Sequence, residues 1–300
     1  MDPAEFLRAS RVVIVAGKGG VGKTTVTAAL ARRAGQAGLT TLVIELDGRS
    51  GLSELFGQPP LGYEPSILVP ASNDTADVLA RALTPDDALY EYLQDHGLRR
   101  VSKRLIASGA MDVVSTAAPG IRDILVLGKV KQLERADAAD VIILDAPAAG
   151  HAITFLLSAR GLLDAVRVGP VQTQAAEVLE MLTDAERCAV VLVTLPEETP
   201  VNELIETAFA LEDRVGVSLG PIVVNGLYPP LEGLEVDPGD DPDAESMVAA
   251  AMFRRGRIAQ QEEQVARLAD KLPLPQFHLP FVFEADLGPV EVGVLAGALG

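Results

Sequence analysis

"AGKGGVGKTTV", Ala16 to Val26, decides the fold. Gly17, Gly22, Lys23 and Thr24 satisfy the phosphate-loop rule: glycine, four loose positions, then glycine, lysine and a hydroxyl residue. The stretch follows "RVVIVAG" (Arg11–Gly17), a β-branched run of the kind buried on both faces of a parallel sheet. It opens "GKTTVTAALARRAGQAG" (Gly22–Gly38), a helical stretch that stops at a glycine. In a strand–loop–helix setting the backbone N–H groups of Gly17 through Gly22, including Lys18, Gly19, Gly20 and Val21, can converge on phosphate oxygens at a helix N-terminus. The same reading has Lys23 reach β- and γ-phosphates, Thr24 offer its hydroxyl to Mg²⁺, and Thr25 touch an α-phosphate.

Outward from the loop the pattern repeats. "TTLVIEL" (Thr40–Leu46), "DVIILDA" (Asp140–Ala146), "AVVLVTL" (Ala189–Leu195) and "PIVVNGL" (Pro221–Leu227) read as further buried strands, with helical stretches between them. Strands alternating with helices predict an α/β fold with a doubly wound, mainly parallel sheet, formed as one domain over residues 1–300. Residues 84–136 break the alternation and read as a helical insertion. Thr84, Pro85 and Asp87 mark its start, as hydroxyl cap, first-turn proline and carboxylate. Further on, Ile121, Ile124, Leu125 and Leu127 form an apolar stripe that is either core or a docking face. Residues 231–246, "LEGLEVDPGDDPDAES", are acidic and rich in proline and glycine, which predicts a mobile loop. Calcium does not suit it, because Gly239 falls where a calcium loop starting at Asp237 needs an oxygen ligand.

Composition narrows the partners. A net charge of −17 over 300 residues disfavours nucleic acid and anionic membranes, although "LRRVSKR" (Leu98–Arg104) is a local basic patch. The single cysteine, Cys188, excludes an intramolecular disulfide framework and reads as a buried thiol. The N-terminus lacks the build of a signal peptide, and no uncharged apolar run approaches the roughly 18 residues of a membrane span. A cytoplasmic location without membrane insertion is expected. His96 and His278 have no second ligand at a metal-binding spacing.

Lys18 is not required by the phosphate-loop rule, and it carries the resemblance. "GKGGVGKTT" resembles the deviant Walker A of the ParA, MinD, nitrogenase iron protein and ArsA group, whose members pair face to face around nucleotide. The resemblance implies that Lys18 reaches the nucleotide of the facing subunit and cancels charge on the phosphoryl oxygens, as an arginine finger does. "VIILDAPAAGHAITFLL" (Val141–Leu157) is similar to the segment of ArsA and guided-entry ATPases that runs into Asp-Thr-Ala-Pro-Thr-Gly-His. By that likeness Asp145 steadies the magnesium shell, Gly150 lies near the γ-phosphate, and His151 matches the family histidine or caps the next helix. Both family threonines are alanines here, Ala146 and Ala149, and the proline moves to Pro147.

The first switch of the family falls on "VIELDGRSGLSELFG" (Val43–Gly57), where only Asp47 survives of Asp-Pro-Ala. Likeness makes Asp47 the residue that orients the attacking water, and leaves Arg49 without a counterpart. "PIVVNGL" resembles the strand whose asparagine, here Asn225, bonds the adenine edge. "LPQFHLPFVFEADLG" (Leu274–Gly288) resembles the loop over the base, with Pro280 and Phe281. The expectation is an ATP- and magnesium-dependent ATPase acting as a sandwich dimer, with itself or with a paralogous ATPase, on a protein client or partner. Three other readings compete. A ParA/MinD-like positioning ATPase lacks its basic amphipathic tail in "PVEVGVLAGALG". A shared iron–sulfur cluster needs more than one cysteine per chain. A weakly hydrolysing heterodimer subunit is compatible with the altered second switch.

Overall fold

The structure, a computed structural model, describes residues 1–46, 51–95, 120–239 and 241–299. Its centre is β1 (Val12–Gly17), every residue of which is buried. Val12, Ile14 and Ala16 face one core and Val13 and Val15 the other, the two-residue alternation of a strand sandwiched between helical layers. Burying a valine or isoleucine side chain stabilises by about 1.5–3 kcal/mol, so β1 anchors both layers.

Around it the described residues form one eight-stranded sheet in the order β3-β4-β2-β5-β1-β6-β7-β8. The strands are β2 (Thr41–Leu46), β3 (Ser66–Val69), β4 (Val78–Leu83), β5 (Val141–Ala148), β6 (Cys188–Thr194), β7 (Leu219–Leu227) and β8 (Gln276–Pro280). All neighbours run parallel except β3 against β4. Parallel strands buried on both faces need no polar alternation, which is why β1, β2, β5 and β6 read as continuous apolar runs. The mainly parallel, doubly wound α/β sheet is as expected. Three strands went unread: β3, β4 and β8. In β8, Phe277 and Leu279 point inward and His278 outward, so the stretch read as a loop over a base begins as an edge strand.

One face of the sheet carries α4 (Pro85–Asp95), α5 (Ile121–Arg135), α6 (Ala149–Ala165), α7 (Pro170–Thr183), α8 (Glu198–Arg214) and α9 (Ala244–Lys271). The other carries α1 (Pro3–Ala9), α2 (Lys23–Gln36), α3 (Leu52–Leu55) and α10 (Pro289–Ala298). The expected start of α4 is realised: the Asp87 amide donates to the Thr84 hydroxyl at 3.1 Å. Of the apolar stripe on α5, Ile124, Leu125 and Leu127 are buried in the core against the sheet, so these three do not form a docking face. α9 begins inside the acidic stretch, at Ala244. No helix among the described residues is long and apolar enough to cross a membrane.

Cys188 opens β6 and is buried. Burial pushes its thiol up to about 12, against a smaller opposing pull from Arg187. The unfolded thiol ionises near pH 8.5, so stability linked to this group is intact below that pH and is lost as pH rises toward about 12. Native protein at pH 8 should therefore resist iodoacetamide for hours, whereas protein unfolded in guanidinium should be alkylated once within minutes; mass spectrometry reads both. Rapid alkylation of the native protein would contradict this placement of Cys188.

Candidate functional site

The loop between β1 and α2 lies at the carboxyl edge of the sheet, where the strands β5, β6 and β7 also end. Gly17 closes β1 directly beside Val193 of β6. A Cβ there would stand 2.5 Å from the Val193 carbonyl oxygen, so no larger residue fits without moving a strand. Gly22 caps α2 in the left-handed region at φ 86°, and a side chain on it would also collide with the Asn225 amide. These two positions explain in steric terms why the motif's first and last glycines are what they are. No side chain caps α2, leaving its first N–H groups pointed at the mouth of the loop.

Four side chains converge on this mouth. Thr24, in the first turn of α2, donates its hydroxyl to Asp145 Oδ2 at 2.8 Å. Asp145 sits on β5, next to Val15 of β1, and is buried. Thr27, one helical turn beyond Thr24, donates to the other carboxylate oxygen at 3.4 Å. Lys23 bends back over the loop, and its ammonium donates to the Lys18 carbonyl at 3.2 Å. Burial holds the Lys23 ammonium below its ordinary pKa, because leaving water disfavours the charged form; nearby Asp145 pulls the other way. An anion arriving at the loop would reverse that desolvation cost.

Lys18 points away from this mouth. Its ammonium pairs with Glu203 Oε1 on α8 at 2.5 Å, at a partly exposed position. On the opposite side Asn225, near the end of β7, donates its amide to the Val21 carbonyl at 3.0 Å, binding the loop to the far half of the sheet. Pro280 ends β8 beside Leu227, and the Phe281 amide donates to the Leu227 carbonyl at 2.7 Å. Asn225, Pro280 and Phe281 thus lie along one stretch of the edge. Gly19, Gly20 and Lys18 are exposed there, while Val21 is buried beneath the loop. Thr25 is half-buried in the first turn of α2. Asp47 and Arg49 lie outside the described residues, and Gly150 and His151 are placed only as backbone in the first turn of α6.

Three residues escaped the sequence reading. Thr27 had a signal, since it shares a helix face with Thr24 at a spacing of three. Glu45, buried on β2, stands directly opposite Asp145 in the strand register, which pairing alone reveals. Glu203 is 185 positions from Lys18, and nothing local marks it.

Residues 10–168 match the model of a family described as anion-transporting ATPase. The chain is 31% identical to ATPase BagA of Mycobacterium tuberculosis strain H37Rv, over 93% of this chain and 89% of that protein. It is 25% identical to ATPase GET3B of Arabidopsis thaliana, over 72% of this chain and 64% of that one. Against ATPase get3 of Botryotinia fuckeliana the identity is 27%, over 68% and 57% respectively. Family match and near full-length similarity agree with the strand, loop and helix geometry: the chain belongs to the anion-transporting ATPase family and is an ATPase.

Proposed function

We propose that the chain is a Mg-ATP-driven dimeric switch, in which nucleotide held between two subunits controls a protein client or a partner ATPase. The observation that carries this reading is the Thr24–Asp145 hydrogen bond at the loop mouth. It uses the hydroxyl proton and leaves the Thr24 oxygen lone pairs for a cation. Buried Asp145 is an anionic oxygen group beside them, so the donor set suits magnesium, which prefers oxygen ligands and retained waters. When bound, magnesium supplies charge neutralisation across the β- and γ-phosphates.

In this reading the backbone N–H groups from Gly17 to Gly22 hold the phosphate chain and Lys23 exchanges the Lys18 carbonyl for phosphate oxygens. Thr25 touches the α-phosphate. Asn225 offers its carbonyl oxygen to the adenine amine, and Pro280 and Phe281 cover the ring. Asp47 orients the attacking water. Lys18 crosses to the facing subunit, breaking its pair with Glu203. An exposed ion pair contributes about 1 kcal/mol or less, so that release costs little beside the electrostatic gain at a phosphoryl group. Ala146 and Ala149, where the related segment has threonines, favour a second form of the same reading: a slowly hydrolysing subunit paired with a paralogue.

Lys23→Ala should abolish ATP binding in a calorimeter, because it removes the charge opposite the β/γ oxygens. Asp47→Asn should keep binding and lose turnover. Wild-type protein that binds no ATP would end the proposal.

Lys18→Ala should leave ATP affinity of the isolated subunit near wild type and cut turnover on the order of 10³-fold. Mixing that chain with Asp47→Asn should restore part of the activity, since one site in the mixed dimer keeps both groups. Zero turnover in demonstrated mixed dimers would place Lys18 on its own nucleotide. If the chain does not self-associate, the paralogue takes the second place in the mixing test.

Glu203→Gln should release Lys18 and strengthen ATP-dependent pairing by up to about fivefold in sedimentation, the equivalent of about 1 kcal/mol. Weaker pairing would argue that Glu203 supports the interface instead.

A further inference from the structure

Beyond the nucleotide edge, the first half of α9 leaves large apolar side chains exposed among the described residues. Of its 28 residues only Gln261 and Leu268 are buried, both in the second half. The first half begins with Met247 and Val248 and continues to Met252 and Phe253, the last two 67% and 64% exposed. Facing them, Leu231 and Val236 are exposed on the preceding turns. Between helix and turns lies a cavity of about 1010 Å³, large enough for several side chains of a partner. Large contiguous apolar patches are rare on isolated chains and mark interaction sites.

The groove is built, not frayed. Tyr228, Phe281 and Phe283 form an aromatic cluster with ring centroids 4.7–5.5 Å apart. The Arg254 guanidinium lies 4.3 Å from the Tyr228 centroid and 4.9 Å from that of Phe283, and donates to the Pro229 carbonyl at 2.8 Å. Arg255 pairs with Glu235 at 3.6 Å and ties the turns to the helix. Both local arginines are therefore engaged by the groove itself. Two further carboxylates line the groove, Glu232 and Asp237, and both are exposed.

We propose that this groove docks a segment of another protein in which apolar anchors are flanked by lysine or arginine. Charge decides the occupant. A second copy of the groove would bring the same two carboxylates, Glu232 and Asp237, against it. An anionic membrane would meet like charge. Apolar anchors fill the volume between Met252, Phe253 and Val236, and basic flanks meet the carboxylates. The flexible methionines at Met247 and Met252 suit a surface that adapts to its anchor. The groove starts three residues after Asn225, so the docked segment sits beside the nucleotide edge without using any residue that the phosphate loop needs. Docking does not depend on the ATP-switch reading.

The test uses nucleotide-free full-length chain and a fluorescent synthetic helical peptide of leucine, methionine and alanine with lysines at both ends, beside a twin ended in glutamates. The lysine-ended peptide should bind at least about tenfold more tightly than its twin, with affinity falling as salt rises. Met252→Asp with Phe253→Asp should weaken it by about tenfold or more. Both side chains are mostly exposed, so circular dichroism should stay unchanged. Glu232→Lys with Asp237→Lys should reverse the preference between peptides. Lys23→Ala should bind the peptide like wild type, which separates this proposal from the nucleotide reading. Equal affinity for the two peptides, no binding of either, or binding indifferent to the Met252 and Phe253 changes would overturn it. So would micromolar self-association, or adsorption to phosphatidylserine vesicles, that the same two changes abolish.

Discussion

The hydrogen bond between Thr24 and Asp145 joins the first turn of α2 to β5 and fixes where the phosphate loop opens. It can form only because β1 is clamped between β5 and β6, with Val15 opposite Asp145 and Gly17 opposite Val193. Move either neighbour and the hydroxyl, the carboxylate and the helix N-terminus no longer share one corner. The two helical layers bury β1 from both sides and hold that register. Chemistry at the corner is thus a by-product of packing at the centre.

Electrostatically the corner is arranged for an anion. Lys23 is kept partly desolvated and below its ordinary pKa, against an opposing pull from Asp145, and its ammonium donates to the Lys18 carbonyl. A carbonyl satisfies the ammonium's geometry but not its charge. Replacing it by a phosphate oxygen gains a charge-assisted bond in a setting where water screens poorly. Lys18, by contrast, has a carboxylate partner at a partly exposed position, where water screens the pair. The two lysines of one short motif therefore stand in different electrostatic settings.

Much of this was legible in the chain. β1, β2, β5, β6 and β7 announce themselves as β-branched runs because parallel strands are buried on both faces. The loop glycines, Lys23 and Thr24 follow from a motif whose spacing is dictated by backbone geometry, whereas Asp145 came from the resemblance of its segment to ArsA and guided-entry ATPases. What stayed hidden is non-local. β4 reads "VLARAL", and its Arg81 breaks the apolar run although the residue is buried over the Tyr63 ring. β3 and β8 are short edge strands, whose alternation is too brief to separate from loop. Glu45 beside Asp145 and Glu203 beside Lys18 become neighbours only through sheet register and helix packing. The stripe on α5 shows the reverse limit: periodicity identifies an apolar face but not what covers it, and here the sheet covers it.

The bond from Asn225 to Val21 has a consequence for how the chain is made. The signature loop is complete by residue 24, yet its shape leans on a side chain 204 positions later. Gly17 likewise finds its neighbour only when β6 has joined the sheet. During synthesis, which proceeds from the N-terminus, the motif emerges early and waits unshaped until β7 is delivered. An N-terminal fragment ending before β6 would carry the entire motif without the Val193 and Asn225 contacts that flank it in the folded chain. The full set of contacts around the loop is thereby completed late, once the far half of the sheet has closed.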